Sequence, residues 1–514
     1  MRGRAITRDV RARLLLLPAA GALGALLACG GGGADGPTPP TTMPTPTPPP
    51  PNIIVIQTDD LEAHGIARMP KLDQLLTQQG TRFANAFVTT PLCGPSRGSF
   101  FSGTYAHSHG MLSNGPPRGG FQTWYGLGRD QNTLATWLKG AGYRTGLVGK
   151  YLNNYPSSAP SETYIPPGWD DWFGLMLDRR AELELYTINE NGTLRLFRGN
   201  EPDGYQTDVF SSRAADFIRR AESNDAQPFF LYVGIEAPHV PAEPAARHEN
   251  ALPGLQVPKN ESFNEDDVSD KPGYVQRTRQ LTTEQIDGID EDYTGRQLTL
   301  LAADDLVENL VRTLDQTGEL ANTLIVFTSD NGIFQGEHRQ TGKSAPYDEA
   351  IRVTMIVRGP GVPAGRSMDQ LVANIDLAPT FLELARAGAQ ATIEGKSLLP
   401  LFSAAPPTGA AWRRELLIEY LGGSGGAESE DGIVRAEGLQ TELVRGMPDY
   451  SGLRTETSTY VEYVTEEKEF YDLVHDGLQL DNLITRGQSD PVLIAQLSSR
   501  LGALKNCHGA ACRQ

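Results

Sequence analysis

Asn52-Ile-Ile-Val-Ile-Gln-Thr-Asp-Asp60 runs four branched apolar residues almost directly into two carboxylates. The run at 53–56 has the length and β-branched content of a strand buried on both faces, as strands are in parallel sheets. Comparable runs recur at 145–148, 229–234, 324–327 and 355–357. Amphipathic helical stretches lie between them at 71–79, 134–139, 209–221 and 297–317. Strands alternating with helices predict an α/β fold: a large mixed, mostly parallel sheet sandwiched by helices. No internal repeat is evident.

Polar residues unusual for a core follow these runs. Asp59 and Asp60 follow the first, Lys150 the second, His239 the third, and Asp330 with Asn331 the fourth. Ligands of open α/β sheets bind beyond the carboxyl ends of the strands. The pattern therefore gathers groups from four distant parts of the chain on one edge. Asp59, Asp60, Asp330 and Asn331 together offer the oxygen donors that hard divalent cations prefer. Taken alone, Asp59-Asp60 also reads as a helix N-cap and Asp330-Asn331-Gly332 as a turn.

A second stretch carries a nucleophile. Leu92-Cys-Gly-Pro-Ser-Arg-Gly-Ser-Phe-Phe-Ser-Gly103 places Pro95 where a first helical turn tolerates it. Cys93 then sits at a helix N-terminus, which favours negative charge, and Arg97 lies one turn on along the same face. An isolated cysteine of this kind also reads as a buried cap.

Length and charge narrow the partners. A chain of 514 residues can hold more than one domain, and a net charge of −18 argues against nucleic acid. Arg2, Arg4, Arg8, Arg11 and Arg13 precede an apolar run at 14–28, of signal-peptide rather than membrane-spanning length. That run ends Leu-Leu-Ala-Cys29, which resembles a bacterial lipobox. The resemblance implies cleavage before Cys29 and a lipid anchor in the cell envelope, periplasmic or surface-facing; ordinary cleavage would release a soluble product. Residues 29–51, rich in Gly, Pro and Thr, read as a tether after the signal peptide at 1–28. Cys507 and Cys512 lie close together, and export permits a disulfide between them. Cys93 is then left over, and an odd cysteine in an exported chain suggests chemistry. After a catalytic domain at 52–402 and an Ala/Pro linker, residues 410–514 read as a smaller α+β subdomain. Its antiparallel strands are expected at 416–420, 438–444 and 459–464, and a helix at 491–504.

The Cys-x-Pro-Ser-Arg run resembles the signature of the formylglycine-dependent sulfatases, of the alkaline-phosphatase-like superfamily. Asn52 to Asp60 and Ser329-Asp-Asn-Gly332 resemble that family's two metal pairs. Gly149-Lys-Tyr-Leu-Asn153, Ala237-Pro-His-Val-Pro241, Gly336-Glu-His338, Gly342-Lys343, Tyr347-Asp-Glu349, Phe470-Tyr-Asp-Leu473 and Asp481-Asn-Leu483 resemble further segments. The resemblance implies that a formylglycine-generating enzyme oxidises Cys93 to an aldehyde, whose hydrate attacks a sulfate ester. It implies one divalent cation, Ca²⁺ ahead of Mg²⁺, on Asp59, Asp60, Asp330, Asn331 and the oxidised Cys93. Arg97, Lys150 and Lys343 would neutralise charge, and His239 would protonate the leaving alcohol. His338 and His109 would support the site or the substrate. Many sulfatases carry histidine two positions after the Gly-Lys lysine, where this chain has Leu152. The run with Tyr164-Ile-Pro-Pro-Gly-Trp169 resembles the N-acetylglucosamine-6-sulfatase branch, with Asn153 in the histidine's role. That implies a sulfated saccharide such as 6-O-sulfated N-acetylglucosamine, hence glycosaminoglycan degradation. A phosphonate or phosphate ester hydrolase and a non-catalytic glycan-binding lipoprotein are the alternatives.

Overall fold

The computed structural model describes residues 49–513, apart from 177–184, 200, 202, 224–226, 389, 423–443 and 445. The expected signal segment, Cys29 and most of the tether lie outside the described residues. Among the described residues, no helix is long and apolar enough to cross a membrane.

One sheet organises the molecule. Its strands are β1 (Asn52–Thr58), β2 (Thr81–Phe83), β3 (Arg144–Gly149), β4 (Asp171–Leu175), β5 (Leu185–Glu190), β6 (Thr193–Arg198), β7 (Phe229–Gly234), β8 (Thr323–Ser329), β9 (Met355–Arg358) and β10 (Arg366–Met368). They lie in the order β10-β2-β9-β8-β1-β7-β3-β4-β5-β6. The centre, β8-β1-β7-β3-β4, is parallel throughout. The β9 strand, expected among the parallel set, instead runs antiparallel to both β8 and β2. The connection at 330–354 holds a small two-stranded hairpin and the four-residue helix Asp348–Ile351 but no long helix crossing a face of the sheet, so the chain turns back beside β8.

The strand pleat explains why β1 is apolar on both sides. Ile53 and Val55 pack on one face with Phe100 and Phe101 of α1 (Cys93–Ser102), Leu138 of α2 (Leu134–Gly140) and, much later in the chain, Phe381 of α5 (Leu377–Leu384). Ile54 and Ile56 pack on the other with Phe217 of α3 (Gln206–Glu222) and with Leu306 and Leu310 of α4 (Thr283–Thr317). The α4 helix starts well before residue 297, where the apolar pattern begins. A Thr282–Gln285 capping box opens it, and its first turns are largely polar.

A separate antiparallel sheet follows: β11 (Glu415–Tyr420), β12 (Tyr450–Thr455), β13 (Ser458–Tyr463) and β14 (Lys468–Asp472), with α6 (Pro491–Leu504) against it. Of the strand expected at 438–444, residues 438–443 lie outside the described residues, and Val444 is not in a strand. This sheet shares one apolar cluster with Phe87, Leu92, Ala345 and Tyr347, so it rests on the same segments that lead into the site. Cys507 and Cys512 form a disulfide.

Registers set the functional edge. Thr58 pairs with Ser329, Gln57 with Gly234, and Gly149 with Gly234. Four parallel strands thus end level with one another, and Asp59, Lys150, Ile235 and Asp330 are the next residues out.

Candidate active site

The α1 helix begins at Cys93, after extended Leu92, and ends at left-handed Gly103 (φ +66°), as Pro95 and the glycine predict. Every residue of α1 is buried. The amide of Gly94 donates to Asn114 Oδ1 at 2.8 Å, so one of the orphan donors at this N-terminus already has a protein partner. Cys93 Sγ lies 3.4 Å from Asp59 Oδ1, 3.9 Å from Asp60 Oδ1 and 2.9 Å from Lys343 Nζ.

The carboxylates form a knot with the cations. Lys150 Nζ bonds Asp59 Oδ2, Lys343 Nζ bonds Asp60 Oδ1 at 2.6 Å, and Asn331 Nδ2 bonds the same Asp60 oxygen at 2.6 Å. His239 Nε2 lies 3.7 Å from Asp60 Oδ2, and its Nδ1 meets Val240 O at 2.5 Å. Arg97 sits beneath. It donates from Nε to Asp330 Oδ2 (2.8 Å), from one terminal nitrogen to Lys150 O (3.1 Å) and Tyr232 Oη (2.9 Å), and from the other to Asp59 Oδ2 (3.3 Å). A guanidinium has five N–H groups, and four are directed at the protein here. Its place is therefore under Asp59 and Asp330, holding them.

Burial and mutual charge set the protonation states. Burial raises Asp59, but Lys150, His239, Arg97 and Lys343 outweigh it and hold the carboxylate well below its usual range. Asp60 is lowered in the same way, chiefly by Lys343. Asp330 moves up, through burial and the neighbouring Asp59 charge. The Cys93 thiol is pushed well above its usual range by burial and Asp59, which keeps it a thiol. Three carboxylates and three permanent cations, Arg97, Lys150 and Lys343, thus balance in a dry site.

The donor set suits a hard divalent cation. Single ligand atoms of Asp59, Asp60, Cys93 and Asp330 lie within 4.8 Å of one another, and Asn331 Oδ1 is buried with no hydrogen-bond partner. A thiol is a soft member of such a group, whereas an oxygen at position 93 would match it.

The remaining expected residues sit elsewhere in the shell. His109 lies behind α1: its Nδ1 accepts from the Met111 amide (3.2 Å), so Nε2 carries the proton toward Ser99 Oγ at 3.1 Å. Burial lowers its pKa to about 3, so this imidazole is neutral. His338 Nδ1 meets Glu265 Oε2 at 2.7 Å, and the ring stacks on Tyr347. Asn153 is buried; its carbonyl takes the Phe121 amide, and its Oδ1 has no partner. Asn114, Tyr232 and Arg296 escape a reading of the sequence. Tyr232 leaves a trace, a hydroxyl inside an apolar strand. Arg296 leaves another, a cation in register with the buried stripe Leu300, Ala303 and Val307 of α4.

The sulfatase family model matches residues 51–387, and the model of the N-sulphoglucosamine sulphohydrolase C-terminal region matches 336–507. The chain belongs to the sulfatase family. This sulfatase is 32% identical to N-acetylglucosamine-6-sulfatase of Homo sapiens over 485 residues, covering 90% of the chain and 86% of the relative. It also resembles a solved protein in complex with its substrate D-glucosamine-2-N,6-O-disulfate, with TM-score 0.71 and 24% identity over 88% of the chain and 97% of that protein. The same fold occurs in phosphonate monoester hydrolase of Agrobacterium radiobacter, with TM-score 0.66 and 19% identity over 88% and 95%. The protein is a sulfuric ester hydrolase acting on sulfate esters.

Proposed function

We propose that this sulfatase removes the 6-O-sulfate from N-acetylglucosamine or a related sulfated glucosamine, with Cys93 oxidised to formylglycine. The observation that carries the reading is Cys93 Sγ held between Lys343 Nζ and the Asp59–Asp60 carboxylates. The likeness to N-acetylglucosamine-6-sulfatase along nine-tenths of the chain supports the sugar.

Asp59, Asp60, Asp330 and Asn331 would hold the divalent cation, Ca²⁺ ahead of Mg²⁺, which when bound supplies positive charge at the sulfate oxygens. Position 93, as the hydrated aldehyde made by a formylglycine-generating enzyme, supplies the attacking oxygen. The surrounding residues set the charge. With the three carboxylates already matched by Arg97, Lys150 and Lys343, a dication leaves a net positive centre for an anionic ester. Lys343 is placed to steady charge at the nucleophile and at sulfate, and Lys150 does the same from the Asp59 side. Arg97 acts through Asp59 and Asp330. The His239 ring, fixed at Nδ1 by Val240 O, presents Nε2, from which a proton passes to the departing sugar oxygen. Asn153 and His338 would serve the sugar side, and His109 backs α1.

We also propose export as a lipoprotein through Cys29, with residues 52–402 as catalytic domain and 410–514 as subdomain. Mass spectrometry of the Cys93 peptide, from a host with the modifying enzyme, should show the aldehyde. Sulfate release should be greatest from 6-O-sulfated N-acetylglucosamine in a panel of sulfated sugars and aryl esters. A preference for aryl phosphonate or phosphate esters would overturn the reading, as would undiminished sulfate release by Cys93→Ala. Labelling with a palmitate analogue that Cys29→Ser abolishes would support the anchor, and label-free wild-type protein would refute it.

A further inference from the structure

Arg296 belongs to no step above, yet it is buried (2% exposed) directly behind the site. It rises from α4, whose body packs on the opposite face of the sheet from α1. One terminal nitrogen donates to Asp60 O and, at 3.3 Å, to Glu62 Oε2; the other donates to Pro238 O at 2.9 Å. Its Nε has no partner. Asp60 is a non-glycine residue at φ +62°, in the left-handed region that an aspartate adopts only occasionally. Pro238 immediately precedes His239 in the chain. One planar group thus grips the backbone of Asp60 and of Pro238, the residue before His239, and the Asp60 and His239 side chains approach each other at 3.7 Å, Nε2 to Oδ2. Among the described residues, the other backbone tie between these loops is the Asp59 amide to Ala237 O, at 3.3 Å.

We propose that Arg296 is a positioning residue: its guanidinium sets the spacing between the Asp60 loop and the His239 loop. A fork is required, because the two carbonyls belong to different segments and one ammonium cannot reach both with the same geometry. The charge helps as well, since carbonyl oxygens facing a buried cation cannot rotate away without leaving it unpaired. The proposal rests on the functional reading above only in taking Asp60 and His239 as site residues.

The test uses the full chain with Arg296→Ala, Arg296→Lys and Arg296→Gln. Ca²⁺ alone is titrated by thermal shift, and sulfate release is followed on the wild type's best substrate. Partners behind metal ligands typically contribute about 10–100-fold in metal affinity or activity. Arg296→Ala should lose about that much Ca²⁺ affinity and kcat, with KM changed less than threefold. Millimolar guanidinium should restore both in Arg296→Ala, and Arg296→Lys should not behave as wild type. The kcat loss should shrink when Arg296→Ala is combined with His239→Ala, because the spacing then has nothing to position. Wild-type Ca²⁺ affinity and kcat in Arg296→Ala would overturn the proposal. So would a lowered melting temperature with no change in affinity or kcat and no guanidinium rescue. If the wild type releases no sulfate from any sugar, the substrate reading fails, while the Ca²⁺ titration and its guanidinium rescue still decide the role of Arg296.

Discussion

Replacing Tyr232 by Phe isolates what holds the floor of the site. Tyr232 is fully buried, and its hydroxyl accepts from Arg97 at 2.9 Å while donating to Gln57 Oε1 at 2.5 Å. The phenyl ring keeps every packing contact with Phe100 and Phe101, so no cavity opens. What disappears is a relay between two groups with no route to water. One guanidinium N–H and the Gln57 carbonyl oxygen would be left unpaired, at about 1–3 kcal/mol each, for a total of about 2–6 kcal/mol. Rotating the Gln57 amide gives no relief, because its Nε2 already lacks a partner and merely changes places with the oxygen. Urea denaturation should show a lower midpoint at unchanged slope. Arg97 keeps its bonds to Asp59 and Asp330, so kcat should fall by about tenfold at most. A loss below about 0.5 kcal/mol, the size of an ordinary surface substitution, would refute the claim that this relay is dry and closed.

Other perturbations follow from single contacts. Lys343→Met removes the cation shared by Asp60 and Cys93, and kcat should drop about 10²–10³-fold, read by sulfate release. His107 is opposed by burial but raised to about 9 by the Glu419 carboxylate, above its unfolded value of about 6.5. Its stabilisation is therefore complete below about pH 6.5 and fades as pH rises through about 9; His107→Gln should flatten that slope, worth about 1–2 kcal/mol, in denaturation curves. Reducing Cys507–Cys512, five residues apart, frees a short loop and should cost about 2 kcal/mol in the same assay, with sulfate release little changed.

The parts of the architecture legible in the sequence are those written as contiguous patterns. The buried runs at β1, β3, β7 and β8 carry strand identity in four to six residues, and the polar residue after each run marks the edge. Hence the sequence pattern alone puts Asp59, Lys150, His239 and Asp330 on one edge. Strand direction is not written that way. Nothing in Met-Ile-Val distinguishes a parallel from an antiparallel neighbour, because pairing sense depends on the connection and not on the run. The hairpin of β5 and β6 escapes a reading of the sequence because polar residues interrupt both strands, leaving no continuous apolar run, although Tyr186 and Ile188 reach the core. The supports of the site were illegible for another reason. The charge of Arg97 can be read from the sequence, but the direction of its guanidinium is set by four acceptors spread from Asp59 to Asp330. Asn114, which takes the Gly94 amide, has no local pattern at all.

The C-terminal sheet completes the site as well as the core. Lys343 reaches Cys93 from a loop that the large sheet barely supports, and its anchors come from further along the chain. The Lys343 carbonyl takes the Val444 amide at 3.1 Å, and the Ser344 carbonyl takes Tyr450 Oη at 2.9 Å. Tyr347 Oη donates to Glu469 at 2.7 Å, a buried carboxyl that also receives the hydroxyls of Tyr463 and Tyr471. Arg454 grips Asp348 through two nitrogens, at 2.9 and 3.0 Å. Each bond alone contributes only about 1 kcal/mol net, but together they fix a lysine that must meet a carboxylate and the nucleophile at once. A loop held on one side only would let the ammonium turn to solvent, where its charge is stabilised without any help to the reaction. The second sheet is thus the wall that makes Lys343 part of the active site, and this is a physical reason for one chain to carry both.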